Sequence, residues 1–309
     1  MSVAKTTKVR VALDWTPNTI HSGLYLAQAK NLYADAGLHV ELIAPDESYS
    51  TTPARQLAAG SVDLAICPSE SCIAYNESGR MPLQAIYALL QRDASAIVST
   101  RESNLAKLGE GVYGSYSAKY EDGIVRAMVS AAGGKGQAMR VKGSNEVGKL
   151  SLFEAARKGD VDATWVFMPW EGVEAELDGV PIYAFRAEEY GVPYGYSPVI
   201  ARNADKSLDA KVLRRFVRAT KLGYEAAGRD AREAAAVLQS HCRPQRSERF
   251  LAASQERING FYGDGSKAGL GSMEPGKWET WIAWLREQGL LAREGVRTEQ
   301  LFTNEFFEV

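Results

Sequence analysis

Two cysteines, Cys67 and Cys72, frame Ser69, Glu70 and Ser71 in the segment CPSESC, directly after the apolar run VDLAI. Three chemistries are open to such a stretch: thiolate ligation of a metal, attack by a nucleophile beside its acid, or recognition of a ligand by a pocket wall. Structural zinc needs four ligands, and a lone C-x4-C containing Pro68 offers no second pair. His39 opens a strand pattern and His241 closes a helical one beside Cys242; neither pairs with His21 at helical spacing. No G-x-S-x-G elbow occurs, so a hydrolase serine has no support. GSNEVGKL (143–150) and GSMEPGKW (271–278) hold the G-x4-G-K frame, but Leu150 and Trp278 stand where Mg²⁺ needs a hydroxyl. GDGSKA (263–268) has glycine spacing for a dinucleotide but follows a helix pattern instead of a strand. The pocket wall remains.

Other residues of matching chemistry stand at the ends of predicted strands, the edge where open α/β sheets bind ligands. DWTPNTIH supplies the flat face of Trp15 and the hydrogen-bonding groups of Asn18 and His21. PSES brings Ser69 and Glu70 to the same rim. YGSYSAKY brings Gly114, Ser115 and Tyr116, with backbone N–H groups at a helix start that suit an anion. WVFMPWEG adds Trp165, Trp170 and Glu171, and GVPYGYSP adds Tyr194 and Tyr196. Aromatic faces edged by carboxylates and amides suit a flat, nitrogen-rich ring, since stacking contributes about 0.5–1.5 kcal/mol beyond buried area.

The elements that must position these groups follow a repeated strand–helix order. KVRVALDW, HVELIAP, VDLAICP and PLQAIYALL read as strands, separated by the helical patterns SGLYLAQAKNLYADAG, TPARQLAAG and ESCIAYNESG. EGVYGSY, AMRVKG, VDATWVF and VPIYAF read as strands of a second series, with helices in YEDGIVRAMVSAAGG, LSLFEAARKG and WEGVEAELDG. AAGSVDLAI and ARKGDVDATWVF share a helix–Gly–Val–Asp–strand pattern, which suggests two similar lobes. From about residue 205 the chain turns helical, beginning with Ser207 as an N-cap, and Trp278, Trp281 and Trp284 form a packed helix face. The expected fold class is α/β, with parallel-dominated sheets and flanking helices. Residues 1–95 plus 200–309 form a discontinuous first lobe and 96–199 the second.

The chain has 309 residues, enough for two hydrophobic cores, and a net charge of −2, which gives no basic field for nucleic acid or anionic lipid. Three cysteines cannot all pair, and no apolar run reaches the length of a membrane span. MSVAKTTKVRVAL has no apolar leader region, so the expected location is cytoplasmic as the sequence stands, or periplasmic or extracellular if a leader was removed.

VALDWTPNTIHSGLYLAQAKNLYADAGLHVEL, AAGSVDLAI, WVFMPWEGVEAEL and GVPYGYSPVIA resemble the thiamine-pyrimidine group of type II periplasmic-binding-protein folds, over roughly residues 8–290. The group includes formylaminopyrimidine-binding proteins of bacterial uptake transporters and the fungal thiamine-pyrimidine synthase. The resemblance implies a two-lobe fold that binds an aminopyrimidine between its lobes, with Trp15 stacking and Glu70 or Glu171 meeting the ring amine. For the synthase it implies a pyridoxal-phosphate lysine and a consumed histidine in the segment matching ICPSESCIAY, and a cysteine run near GVPYGYSPV. Here those positions carry Cys67, Ser71 and Tyr194-Gly195-Tyr196. The expectation is therefore a binding protein for thiamine-precursor uptake or salvage, without a cofactor. Its partners are a small-molecule aminopyrimidine and, if it is exported, an ABC transporter permease, with no nucleic acid and no membrane insertion. The alternative is an intracellular biosynthetic enzyme using pyridoxal phosphate and iron. A third is a binding protein for a small anion such as a sulfonate.

Overall fold

The computed structural model describes residues 6–46, 49–148, 151–206, 208–263, 269–292 and 295–307. The chain divides into two compact units. Unit 1 comprises Met1–Asp93, Tyr196–Trp278 and Glu294–Val309, and unit 2 comprises Ala94–Gly195 and Glu279–Arg293. The predicted boundary leaves Glu279–Arg293 in the first lobe. They group with unit 2 because Trp281 packs against Tyr194, ring centroids 5.2 Å apart, and Leu290 fills the space a side chain at Gly123 would need.

In unit 1 the elements run β1 (Thr7–Ala12), α1 (Ser22–Ala29), α2 (Leu32–Asp35), β2 (Leu38–Ile43), α3 (Pro53–Ala58), β3 (Leu64–Cys67), α4 (Ser69–Glu77) and β4 (Leu83–Ala88). In unit 2 they are β5 (Ser95–Ser99), β6 (Val112–Ser115), α5 (Glu121–Ala131), β7 (Arg140–Gly143), α6 (Ser144–Val147), α7 (Leu152–Lys158), β8 (Ala163–Phe167), α8 (Val173–Leu177) and β9 (Tyr183–Phe185). The chain then gives β10 (Val199–Asn203), α9 (Ala210–Arg229), α10 (Ala231–Gln239), α11 (Glu248–Asn259), α12 (Pro275–Glu287) and α13 (Thr298–Leu301).

Each unit holds a five-stranded sheet, ordered β2-β1-β3-β10-β4 in unit 1 and β7-β6-β8-β5-β9 in unit 2. β1 runs parallel to β2 and β3, and β6 runs parallel to β7 and β8. β10 lies antiparallel between β3 and β4, and β5 antiparallel between β8 and β9. Four strands of each sheet therefore share one direction and one opposes them. The sequence does not announce the reversed strands. Ile97, Val98, Val199, Ile200 and Ala201 are all buried, and such short apolar runs lack the alternation that marks a half-exposed strand.

The repeated Val-Asp pattern has a physical basis in both sheets. Asp63 accepts the Arg10 backbone N–H through Oδ2 at 2.8 Å and returns its own N–H to the Arg10 carbonyl at 2.9 Å. Asp162 does the same to Val112, at 2.7 and 2.8 Å. Each aspartate thus clasps the central parallel strand to its neighbour. Gly60 and Gly159, at φ +73° and +86°, end the preceding helices in the left-handed conformation that favours glycine.

Helix ends follow local chemistry. Thr52, Asp209, Asp230 and Ser247 each accept a first-turn N–H as N-caps. The predicted cap Ser207 lies outside the described residues. SGLYLAQAKNLYADAG forms two helices instead of one, because Asn31 adopts a left-handed conformation at φ +59°. α1 approaches α9 closely, with Tyr224 lying across Gly23 and Ala27 beside Gly223. Trp278 and Trp281 are fully buried and Trp284 half-buried, as a packed helix face requires.

Candidate functional site

β1 and β3 are adjacent and parallel, with Ala12 beside Ala65, so Asp14 and Trp15 leave the sheet where Cys67 to Ser69 leave it. In unit 1 this edge gathers Trp15, Glu70 and a residue the sequence did not single out, Asp14. Trp15 is half-buried, its ring 4.8 Å from that of Tyr49 and tilted by 47°. The Tyr49 hydroxyl accepts the Thr16 N–H at 2.9 Å. Burial pushes the Tyr49 phenol up, and nearby Asp14 adds to that.

His21 is fully buried and both its ring nitrogens are engaged. Nδ1 accepts the Asn18 backbone N–H at 3.3 Å, which leaves the hydrogen on Nε2 to donate to Asp14 Oδ1 at 2.8 Å. His21 therefore orients Asp14 and has no ring nitrogen left for a ligand, contrary to its predicted role. Asn18 is likewise drawn into the scaffold. Its Oδ1 accepts the Ile20 N–H at 2.9 Å and its Nδ2 donates to the Thr16 carbonyl at 3.0 Å. The loop is pinned from beneath by Thr19 to Ser254 at 2.7 Å and by the Cys242 thiol to the Pro17 carbonyl. Asp14, with its side chain 26% exposed, is the group this scaffold presents.

At the start of α4, Ser69 is fully buried. Its N–H donates to the Tyr196 carbonyl at 3.1 Å and its hydroxyl to Glu70 Oε2 at 3.2 Å. Glu70 stays half-buried in the first helical turn, where the backbone N–H groups favour a carboxylate. Cys67 and Cys72 are both buried, and the hydrogen bond to Cys67, with burial, pushes the Cys72 thiol well up. Both are free thiols packed in the core. The segment CPSESC is thus core at its cysteines and sheet edge at Glu70. Tyr196 is a correction: the residue is 4% exposed and its hydroxyl accepts the Glu274 N–H at 2.9 Å, fixing the start of α12. Lys277, the lysine of one P-loop-like frame, donates to the Gln91 carbonyl at 3.1 Å. The lysine of the other frame, Lys149, and residues 264–268 of the third glycine motif lie outside the described residues.

In unit 2, β6 and β8 are parallel neighbours, with Gly114 beside Thr164. Gly114 faces the side chains of Leu152 and Val161, so its glycine serves packing. The N–H groups predicted for an anion are already bonded. Tyr116 and Ala118 donate to Glu121 at 3.0 and 3.1 Å, and Ser117 donates to Ser115 Oγ at 2.9 Å. The Tyr113 hydroxyl adds a third bond to Glu121, at 2.7 Å. Burial pushes the Glu121 carboxyl up, while these three bonds pull it down; burial prevails. Trp165 and Tyr194 meet at 5.3 Å, both half-buried, and Tyr194 backs onto Trp281. Trp170 is buried in the π-helical turn Met168–Gly172, where Glu171 Oε2 accepts the Phe167 N–H at 2.9 Å.

Unit 1 therefore groups Trp15 and Glu70 with Asp14 at one sheet edge, and unit 2 groups Trp165 and Tyr194. Asn18, His21, Ser69, Ser115, Trp170 and Tyr196 serve the scaffold. Asp14 and Glu121 were missed because the sequence shows only a carboxylate seven residues before a histidine and another five residues after a tyrosine. Their partners are set by folding.

A strand order repeated in two units, each with one reversed strand, defines a periplasmic-binding-protein fold of α/β class. The periplasmic nitrate-binding protein NrtA from Synechocystis PCC 6803 superposes with a TM-score of 0.73 at 13% identity, covering 98% of this chain and 88% of its own. The ligand-binding component of an ABC-type import system from Staphylococcus aureus also scores 0.73 at 13% identity, covering 97% and 98%. The chain belongs to the NMT1/THI5-like family, whose pattern matches residues 18–234. A formylaminopyrimidine-binding protein from Halalkalibacterium halodurans is 26% identical over 90% of this chain and 84% of its own length. A Haemophilus influenzae protein named for thiamine biosynthesis is 28% identical over 66% of this chain, which spans only 64% of that relative.

The residues present do not fit the pyridoxal phosphate of the synthase branch. The β3–α4 segment carries no lysine, and Cys67 is a buried free thiol hydrogen-bonded with Cys72. Among the described residues no three His, Cys, Asp or Glu side chains gather as a metal site, and no helix is long and apolar enough to cross a membrane.

Proposed function

We propose that this protein binds a thiamine-related aminopyrimidine, using the sheet edge of unit 1 that carries Asp14, Trp15 and Glu70. The observation that carries this reading is the Asp14 carboxylate, fixed by His21 beside the half-exposed Trp15 ring. An aminopyrimidine offers a flat face for the indole, and an exocyclic amine next to a ring nitrogen for a carboxylate. Charge-assisted bonds of that kind are roughly twice as strong as neutral ones. The similarity to a formylaminopyrimidine-binding protein along 90% of the chain supports the same ligand class. In an import system the partner would be an ABC permease, a role supported by the fold shared with the Staphylococcus component. The biosynthetic-enzyme reading has less support, since Cys67 and Ser71 supply neither the amine nor the imidazole it needs. The small-anion reading is opposed by Glu121, which occupies the N–H groups an anion would use.

Isothermal titration with an N-formyl-aminopyrimidine, the free aminopyrimidine, thiamine, nitrate and an alkanesulfonate tests the proposal. Saturable binding of an aminopyrimidine, with quenching of tryptophan fluorescence, is the expected result. Binding of the anions alone overturns it.

A further inference from the structure

α9 buries one face and carries a run of like charge on the other. Its apolar face packs inward, with Phe216 stacked on Tyr33 at 5.6 Å and Gly223 against α1. Lys211, Arg214, Arg215 and Arg218 are exposed and Lys221 is half-buried, and no acid occurs between Lys211 and Tyr224. At about 3.6 residues per turn, the five cations lie within about a third of the helix circumference, along roughly 15 Å. Leu222, 40% exposed, stands on the same stripe. Like charges three or four residues apart repel on a helix. Here Lys211 faces Arg214 and Arg215, and Arg218 faces Arg214, Arg215 and Lys221. The chain does not neutralise them. The side chains of Lys211, Arg214, Arg218 and Lys221 make no ion pair or hydrogen bond among the described residues. Arg215 donates to the Lys211 and Ala36 carbonyls, at 3.3 and 2.8 Å. Asp209 is spent on capping the Lys211 N–H at 2.7 Å, and Asp35, beside Ala36, pairs with none of the five among the described residues. The fold thus carries a repulsion that an exchange of Arg218 for an acid would relieve.

We propose that the exposed face of α9 is a docking surface for an acidic helix of a partner protein. Carboxylates at three- and four-residue spacing on that helix would match the stripe, with an apolar side chain to meet Leu222. Three of the five cations are arginines, whose planar fork pairs with carboxylates. A lipid surface or a nucleic acid would meet the same arginines, but also the rest of a chain whose net charge is −2. An acidic segment no wider than the stripe meets the stripe alone, because salt screens charges beyond about 8–10 Å. None of these residues belongs to the sheet edge of Asp14, Trp15 and Glu70, so the inference stands apart from the function proposed above.

The probe is a synthetic helical peptide with glutamates at every third and fourth position around one leucine, alongside its glutamine counterpart. Isothermal titration should show saturable binding of the glutamate peptide to wild type, weakening as salt rises, and none of the glutamine peptide. The double variant Arg214→Glu/Arg218→Glu should bind the glutamate peptide at least about tenfold more weakly. At low salt it should also melt at a higher temperature than wild type, because the exchange relieves the repulsion along the helix. A misfolded variant cannot give that pair of results. Equal affinity in the two proteins overturns the proposal, and so does a variant that melts lower, which would make the arginines structural. Wild type that ignores the peptide overturns it without any variant. Wild type that ignores the peptide but adsorbs to phosphatidylserine vesicles would replace the protein partner with a membrane surface.

Discussion

Asp14 shows how a buried histidine can serve a binding residue without touching a ligand. His21 takes one N–H from the backbone and gives one to the carboxylate, so Asp14 is aimed while keeping an oxygen for another partner. Replacing Trp15 by Ala removes the stacking face and should weaken aminopyrimidine binding about tenfold to a hundredfold. Asp14→Asn, which keeps the shape, should weaken it about tenfold. Titration calorimetry, with melting temperatures as a folding control, reads both, and an unchanged affinity removes that residue from the site. Glu121 makes a prediction of a different kind. Burial raises its carboxyl above the ordinary value of 4.5, so the folded chain holds the proton more tightly than the unfolded one. Its contribution to stability is fully present below pH 4.5 and is lost as pH rises through the raised value. The melting temperature of wild type minus that of Glu121→Gln should therefore fall as pH rises from 4.5 through the raised value, and a flat or rising difference would contradict the burial. The position of Trp15 and Glu70 at the sheet edge was legible in the sequence, because each follows directly on an apolar strand pattern. Asn18 and His21 are taken up by neighbours in their own loop, and the Tyr196 hydroxyl by the Glu274 N–H, which only the folded chain brings near.

At the scale of elements, the paired aspartates hold each sheet at the same place. Asp63 also binds the Arg10 guanidinium through both oxygens, at 3.0 and 2.8 Å, whereas Asp162 has the Val112 backbone partner. For Asp63, burial works against ionisation, but the bonds from Arg10 outweigh it and hold the carboxyl below its usual range. Asp63→Ala should lower unfolding free energy by about 1–3 kcal/mol, because it strands a part-buried N–H, and Asp162→Ala, at a solvent-exposed bond, by about 0.5–1.5 kcal/mol. Urea denaturation measures both, and losses well under these ranges would deny the clasps their role. Strand and helix order was largely legible, because glycines at 60 and 159 and apolar periodicity punctuate the chain. β5 and β10 were not, since a strand buried on both faces carries no alternation to read. The break between α1 and α2 was hidden too, because it depends on Asn31 accepting a left-handed backbone.

At the scale of the molecule, the strand order decides when each sheet can be completed as the chain is made. Every strand of the unit 2 sheet lies between Ser95 and Phe185, so that sheet is whole before residue 199 exists. Unit 1 has no such independence. β4 ends at Ala88, yet its ladder partner β10 begins at Val199, and the bridge on Ala85 is made by Phe302. During synthesis the first four of unit 1's five strands must therefore wait for the last, with Leu83–Ala88 left as an open apolar edge while more than a hundred further residues are added. Chains released after Gly195 should be cut by protease within Leu83–Ala88, and chains extended through Val309 should resist; equal resistance would mean that β4 finds another partner. A nascent strand held open for so long is a natural client for a chaperone, and the cell's capacity to shield it would govern how much of this protein reaches its folded form.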